Sequence, residues 1–117
     1  MTLAYVASPY TRFPGGLARA YYAARVVTGK LIKSGVHCYS PIVHCHPLCR
    51  CAGLNPFDVT IWHPQNETMM ERCDALIVAH LAGWDASDGV AKEIEYFAKL
   101  EKPIFDLDPE TMAMVRR

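Results

Sequence analysis

The chain has 117 residues, 51% of them hydrophobic, with twelve basic and twelve acidic side chains and no formal net charge. This is enough apolar material for one domain around one core, and the lack of a basic excess argues against binding nucleic acid polymers through their phosphate backbone. No apolar stretch nears the ~20 residues of a membrane span, no secretory leader pattern opens the chain, and five cysteines without a secretory context read as mostly reduced thiols, so the expectation is a cytoplasmic protein.

Taken in order, Thr2-Leu3-Ala4-Tyr5-Val6-Ala7 is apolar and β-prone, and Ser8-Pro9 stops it. Phe13 to Gly16 is a loop. From Leu17 to Lys33 the pattern turns helical, with Leu17, Ala20, Ala24, Val27 and Leu31 three and four apart, and Gly35 closes the helix. Val36 to Ser40 is a second strand ended by Pro41. Residues 41 to 57 contain Pro41, Pro47, Gly53 and Pro56 and read as one long loop, a feature often tied to function.

A second helix is expected from about Asp58 to Cys73, with Trp62 in its packing. The apolar run after it predicts a buried strand from Ala75 to Leu81. Ala82 to Asp88 reads as a loop, Gly89 to about Leu100 as a helix, and Ile104 to Leu107 as a fourth strand. Asp108-Pro109-Glu110 has the form of a helix start, so a short terminal helix is expected. Strands alternating with helices predict an α/β fold, a three-layer flavodoxin- or Rossmann-like sandwich with a mainly parallel sheet of four to five strands.

Such sheets bind ligands at the carboxyl ends of their strands. Four segments are candidates at that edge. In Ser87-Asp88-Gly89-Val90-Ala91-Lys92-Glu93, the free amides of Gly89 and Val90 would face an anion beside the Ser87 hydroxyl. Glu93, one turn on, borders the apolar stripe of its helix; its plain alternative is a solvated glutamate among Lys92, Glu95 and Lys99. After the first strand, Ser8, Pro9 and Tyr10 let a ligand approach the backbone, and Tyr10 could stack on a base; the alternative is an ordinary Ser-Pro turn. His44 and His46 sit near the second strand's end, each alternatively a loop-bonding histidine. Trp84 in Gly83-Trp84-Asp85 could close over an aromatic ligand or simply pack its loop.

His44, Cys45, His46, Cys49 and Cys51 include side chains that zinc prefers, but their spacing matches no common zinc module, and no metal or organic cofactor is expected. A Cys-His nucleophile from Cys45 or Cys73 is conceivable, although Cys73 reads better as core. No GxGxxG, Walker or HExxH pattern is present.

The segments Tyr5-Val6-Ala7-Ser8-Pro9-Tyr10, Ser40-Pro41-Ile42-Val43-His44-Cys45-His46-Pro47, Arg72-Cys73-Asp74-Ala75-Leu76, Gly83-Trp84 and Ser87-x-Gly89-Val90-x-x-Glu93-Ile94 resemble the nucleoside 2-deoxyribosyltransferase-like superfamily, and within it the DUF1937 group. The last segment is also similar to the 2'-deoxynucleoside 5'-monophosphate N-glycosidases. The resemblance implies attack on an N-glycosidic bond with Glu93 as nucleophile and Ser87 on phosphate or sugar. Ser8, Pro9 and Tyr10 would line the base or sugar side, with His44 at the pocket border. It also implies a homo-oligomer, a dimer or tetramer, acting on a small nucleoside or nucleotide. Where relatives carry an aspartate that orients the sugar and helps protonate the base, this chain has Asn66, which hydrogen-bonds but transfers no proton. Glu67, His44 or Asp88 would then supply the proton, or the protein would bind nucleotides without cleaving them. A zinc-stabilised interaction protein is the remaining alternative.

Overall fold

A computed structural model describes residues 2–117. Its five-stranded sheet has the order β2-β1-β3-β4-β5, and β1 (Ala4–Ala7), β2 (Cys38–Tyr39), β3 (Ala75–Ala79) and β4 (Ile104–Leu107) run parallel. Four helices, α1 (Leu17–Lys33), α2 (Pro41–Ala52), α3 (Val59–Arg72) and α4 (Asp88–Lys99), complete an α/β sandwich of the expected three-layer flavodoxin- or Rossmann-like class.

The strands are apolar on both faces because both are covered. On one face Ala4, Val6, Ile77, Ala79 and Leu107 pack with Val27 and Leu31 of α1. On the other, Tyr5, Ala7, Leu76 and Val78 pack with Cys73 and with Val90 and Phe97 of α4. Successive side chains of a strand point to opposite faces, so alternate residues of β1 and β3 feed the two cores. Since β2 lies on one side of β1 and β3 on the other, the chain reverses its winding direction between β1 and β3. A crevice opens at the carboxyl ends of those two strands.

Two segments differ from the sequence expectation. Residues 41 to 52 are helix rather than loop. Ser40 caps α2 by accepting a hydrogen bond from the Val43 amide at 3.3 Å, Pro41 occupies the first turn, and Gly53 closes the helix at φ 68°. Pro41 therefore starts a helix, where its missing N–H costs nothing, and Gly53 ends it in the left-handed conformation that glycine adopts without strain.

The second difference lies at the other end of the chain. The Asp108 side chain accepts hydrogen bonds from the amides of Glu110 (2.9 Å) and Thr111 (3.4 Å), but no helix follows. The chain turns, with Met112 at φ 62°, and returns as β5 (Met114–Arg116), antiparallel to β4. A side-chain cap of this kind serves a turn as well as a helix start. Here the β4 edge offers backbone partners that a three-residue helical stub lacks.

Candidate functional site

A cleft of about 660 Å³ opens at the crevice between β1 and β3. The loop after β1 contributes Ser8 and Tyr10, and the first turns of α4 contribute Ser87, Gly89, Lys92 and Glu93. Its other wall comes from α2 and α3, with Ile42, Cys45, His46, Cys49, Trp62 and Asn66. That wall is largely apolar, and Phe57 and Val59, each 56% exposed, stand at its rim.

Ser87 ends the loop from β3 and caps α4, accepting the Val90 amide at 3.2 Å. Its hydroxyl hydrogen remains free to donate, beside the open amides of the helix's first turn. The loop before it is held by close approach. Gly83 has φ 91°, and a Cβ there would come within 2.3 Å of the Arg12 carbonyl oxygen. Only a glycine lets the β3–α4 loop pack directly on the β1–α1 loop and bring their residues to one cleft.

Glu93 lies one helical turn beyond Gly89, half-buried at the cleft. Neither salt bridge among the described residues reaches it. Burial pushes its carboxyl up to about 8 from an ordinary 4.5, and the neighbouring Tyr5 hydroxyl works in the opposite direction. Desolvation disfavours the charged form, and no cation offsets it. Tyr5 is fully buried under the site, and its own titration is pushed upward by burial first and by Glu93 second. Its hydroxyl makes no hydrogen bond of ordinary geometry to the protein, and neither do those of Ser8 and Tyr39. Among the described residues, the buried hydroxyls of Tyr5, beside Glu93, of Ser8, in the same cleft lining, and of Tyr39, whose ring packs on Tyr5, thus lack protein partners, an uncommon arrangement inside a fold.

On the α2 side, Tyr10 Oη lies 2.5 Å from His46 Nδ1. His46 is buried and stacks on Tyr21 of α1, with centroids 4.5 Å apart, and Arg25 lies over the far ring at 5.2 Å. Burial and then Arg50 lower the His46 pKa. The Cys45 thiol meets Asn66 Oδ1 at 4.0 Å, and burial pushes it up to about 11. Burial likewise pushes Cys73 up to about 11. Both stay neutral thiols near pH 7, poorly suited to nucleophilic attack.

Of the residues singled out in the sequence, the fold brings Ser8, Tyr10, Asn66, Ser87, Gly89 and Glu93 to the cleft lining. Three lie outside it. Pro9 is fully buried beneath the loop. His44 is exposed and tilts against Tyr39, ring centroids 5.6 Å apart. Trp84 stacks on His80 at 3.9 Å, within 9° of parallel. The two histidines of α2 exchange roles relative to the expectation, because two residues on a helix span about 200° and leave His46 inward and His44 outward.

Sequence reasoning missed the α2–α3 wall. The cap Ser40, Pro41 in the first turn and Gly53 at the end carried the signal for α2. Trp62, expected to pack within its helix, lines the cleft and donates through Nε1 to the Asn55 carbonyl at 2.9 Å. Among the described residues no three His, Cys, Asp or Glu side chains gather as a metal ligand set. No helix among them is long and apolar enough to cross a membrane.

Residues 2–108 match the family model described as a domain of unknown function, DUF1937. The chain belongs to the DUF1937 family. No curated protein matches it in sequence.

Proposed function

We infer that this DUF1937 protein cleaves or transfers at the N-glycosidic bond of a (deoxy)nucleoside or its 5'-monophosphate, with Glu93 as nucleophile. The reading follows the resemblance of its sequence to the nucleoside 2-deoxyribosyltransferase-like proteins. The observation that carries the reading is Glu93 itself, a half-buried carboxyl with no ion-pair partner among the described residues, in a cleft that also holds the capped start of α4. A carboxyl held in that state is costly to the fold and suits a reacting group.

The surroundings supply the other parts. A sugar's hydroxyls would give partners to Ser8, which lines the cleft unbonded. A 5'-phosphate would meet the Gly89 amide, the Ser87 hydroxyl and Lys92, the sole lysine or arginine among the described lining residues. This favours a monophosphate and hydrolysis. The apolar wall of Ile42, Phe57 and Trp62 suits the flat face of a base. Glu93 attacks the anomeric carbon as the base leaves, and water or a second base then takes the sugar from the glycosyl-enzyme. No residue of this scheme requires a metal or organic cofactor, and a cytoplasmic homo-oligomer belongs to the same reading.

The second reading is a non-catalytic nucleotide sensor on the same fold, favoured by Asn66 in the cleft where a proton donor would help. The deciding experiment measures base release from ribo- and deoxynucleosides and their 5'-monophosphates by wild type and Glu93→Ala. Release by wild type alone is the expected result. Nucleotide binding with no release from any member of the panel would leave the sensor.

A further inference from the structure

We propose that Tyr10 and His46 form the acid–base pair of this cleft, with Tyr10 delivering a proton to the departing base and His46 refilling it. The proposal rests on the N-glycosidic reading of the site and adds the proton donor that Asn66 cannot be.

The geometry supports a proton path. Tyr10 stands in the cleft lining on the loop after β1, and its hydroxyl is in short hydrogen-bond contact, 2.5 Å, with His46 Nδ1. The Tyr21 ring, stacked on His46, fixes the imidazole plane, so Nδ1 is held toward Tyr10. A tyrosine alone is a poor acid, and burial raises Tyr10 further; the imidazole behind it makes transfer feasible. The other groups at hand are less suited. The Cys45 thiol holds its proton too tightly, and Glu67 and Asp88 are exposed carboxylates at the rim.

The steps balance. Glu93 bonds to the anomeric carbon while the carbon–nitrogen bond breaks. The electron pair of that bond stays on the base nitrogen, which takes the Tyr10 hydroxyl proton. His46, as imidazolium, passes its Nδ1 proton to Tyr10 and becomes neutral. In the second step water oxygen bonds to the anomeric carbon and the ester to Glu93 breaks, returning the carboxylate. The proton released by water goes to Tyr10 as the tyrosine's own moves to His46. The net change is one water consumed and one base and one free sugar released.

The reacting form therefore holds one proton between Glu93 and His46, and it is the less populated tautomer of that state, because the lowered His46 and raised Glu93 favour the proton on Glu93. Around His46 stand Tyr10, Tyr21 and Arg25 from the loop after β1 and from α1, and Cys49 and Arg50 from α2; Asp58, His63, Glu67, Asp88 and Lys92 line the cleft beyond. Burial and Arg50 hold His46 below its ordinary value, while Glu93 lies near 8. The kcat/KM profile of the wild type should be a bell, bounded below by His46 and above by Glu93. In His46→Gln the shared proton is no longer needed, so activity, although lower, should rise with pH through the region where wild type falls.

The test compares wild type, Tyr10→Phe and His46→Gln on 2'-deoxyguanosine 5'-monophosphate and on its 7-methylguanine counterpart, whose base leaves neutral without taking a proton. Tyr10→Phe should lose about 100-fold or more in kcat on the first substrate and stay within a few-fold of wild type on the second, with KM little changed on both. Equal losses on the two substrates, or no loss on either, would overturn the pair's role. An unchanged bell in His46→Gln would overturn the relay. A wild type inert on both substrates, and on the wider panel, would overturn the underlying N-glycosidic reading as well.

Discussion

Two carboxyls mark the two sides of this molecule. Glu93, on α4 in the cleft, is half-buried, has no ion-pair partner among the described residues and is pushed up to about 8. Asp106, on β4, receives Arg117 Nε at 2.9 Å and Nη2 at 3.1 Å, and contacts His80 Nε2 at 2.7 Å. It is held below its ordinary 3.8, first by the Arg117 hydrogen bond. Asp106 is satisfied, ties Arg117 to β4 and holds His80, whose ring stacks on Trp84. Glu93 has only the Tyr5 hydroxyl beside it and no ion-pair partner among the described residues. A fold that ion-pairs one acid and leaves another raised at a cleft is the contrast on which the proposed role of Glu93 rests.

The largest effect should come from removing the bare acid's charge. Glu93→Gln keeps the shape and hydrogen bonding of the side chain but cannot form the glycosyl ester. Base release should fall at least about 1,000-fold. The same change should stabilise the protein. The folded-state pKa of Glu93 lies above its unfolded value of 4.5, so as pH rises the native state keeps a proton that the unfolded chain gives up, and stability drains away between about 4.5 and 8. The full shift corresponds to roughly 5 kcal/mol, and water in the open cleft reduces it to roughly 2 kcal/mol. Urea unfolding at pH 5 and pH 8 would check this. The gain from Glu93→Gln should be small at pH 5 and near its maximum at pH 8. Equal gains at both pH values would mean that the carboxyl is as comfortable as Asp106.

A smaller effect comes from placing another carboxyl in the cleft. Asn66→Asp alone should change release by less than about 10-fold, since Tyr10 and His46 already carry the proton. In the Tyr10→Phe background it should restore about 10-fold or more of the lost rate, because the new acid then has work to do. Single-turnover assays of wild type, the two single variants and the double variant give the coupling directly. A large gain in the wild-type background would show instead that position 66 is where the acid was missing.

How much of this was readable in the sequence depends on which physical signal each part used. The continuous apolar runs of β1 and β3 and the capped start of α4 are local signals, and they located Ser8, Ser87, Gly89 and Glu93. The caps of α2 are equally local, but Pro41 follows a short strand and serves as its stop and as the next helix's start. Reading only the first role turned α2 into a loop and hid the wall that carries His46. Trp84 failed for a different reason. Its partner His80 directly follows β3, and no pattern in the loop indicates that the indole stacks there rather than over the cleft. The same holds for Asp108, whose cap serves a turn because the free β4 edge captures the chain beyond it.

The paired acid should show the smallest change and the opposite sign with pH. In Asp106→Asn the guanidinium and imidazole lose a charged partner, at a cost of about 1 kcal/mol for a pair that is partly exposed. Because the native pKa of Asp106 is depressed, its contribution is present above 3.8 and is lost as pH falls through the lower folded value. The variant should therefore be less stable than wild type at pH 6 and should converge with it in strong acid. Base release should be unchanged, since Asp106 does not line the cleft. High salt should shrink the difference at pH 6 by screening the exposed Arg117. A variant as stable as wild type at pH 6 would mean that β5 is held by its backbone ladder to β4 alone. The contrast with Glu93 would then be between a strained acid and an idle one.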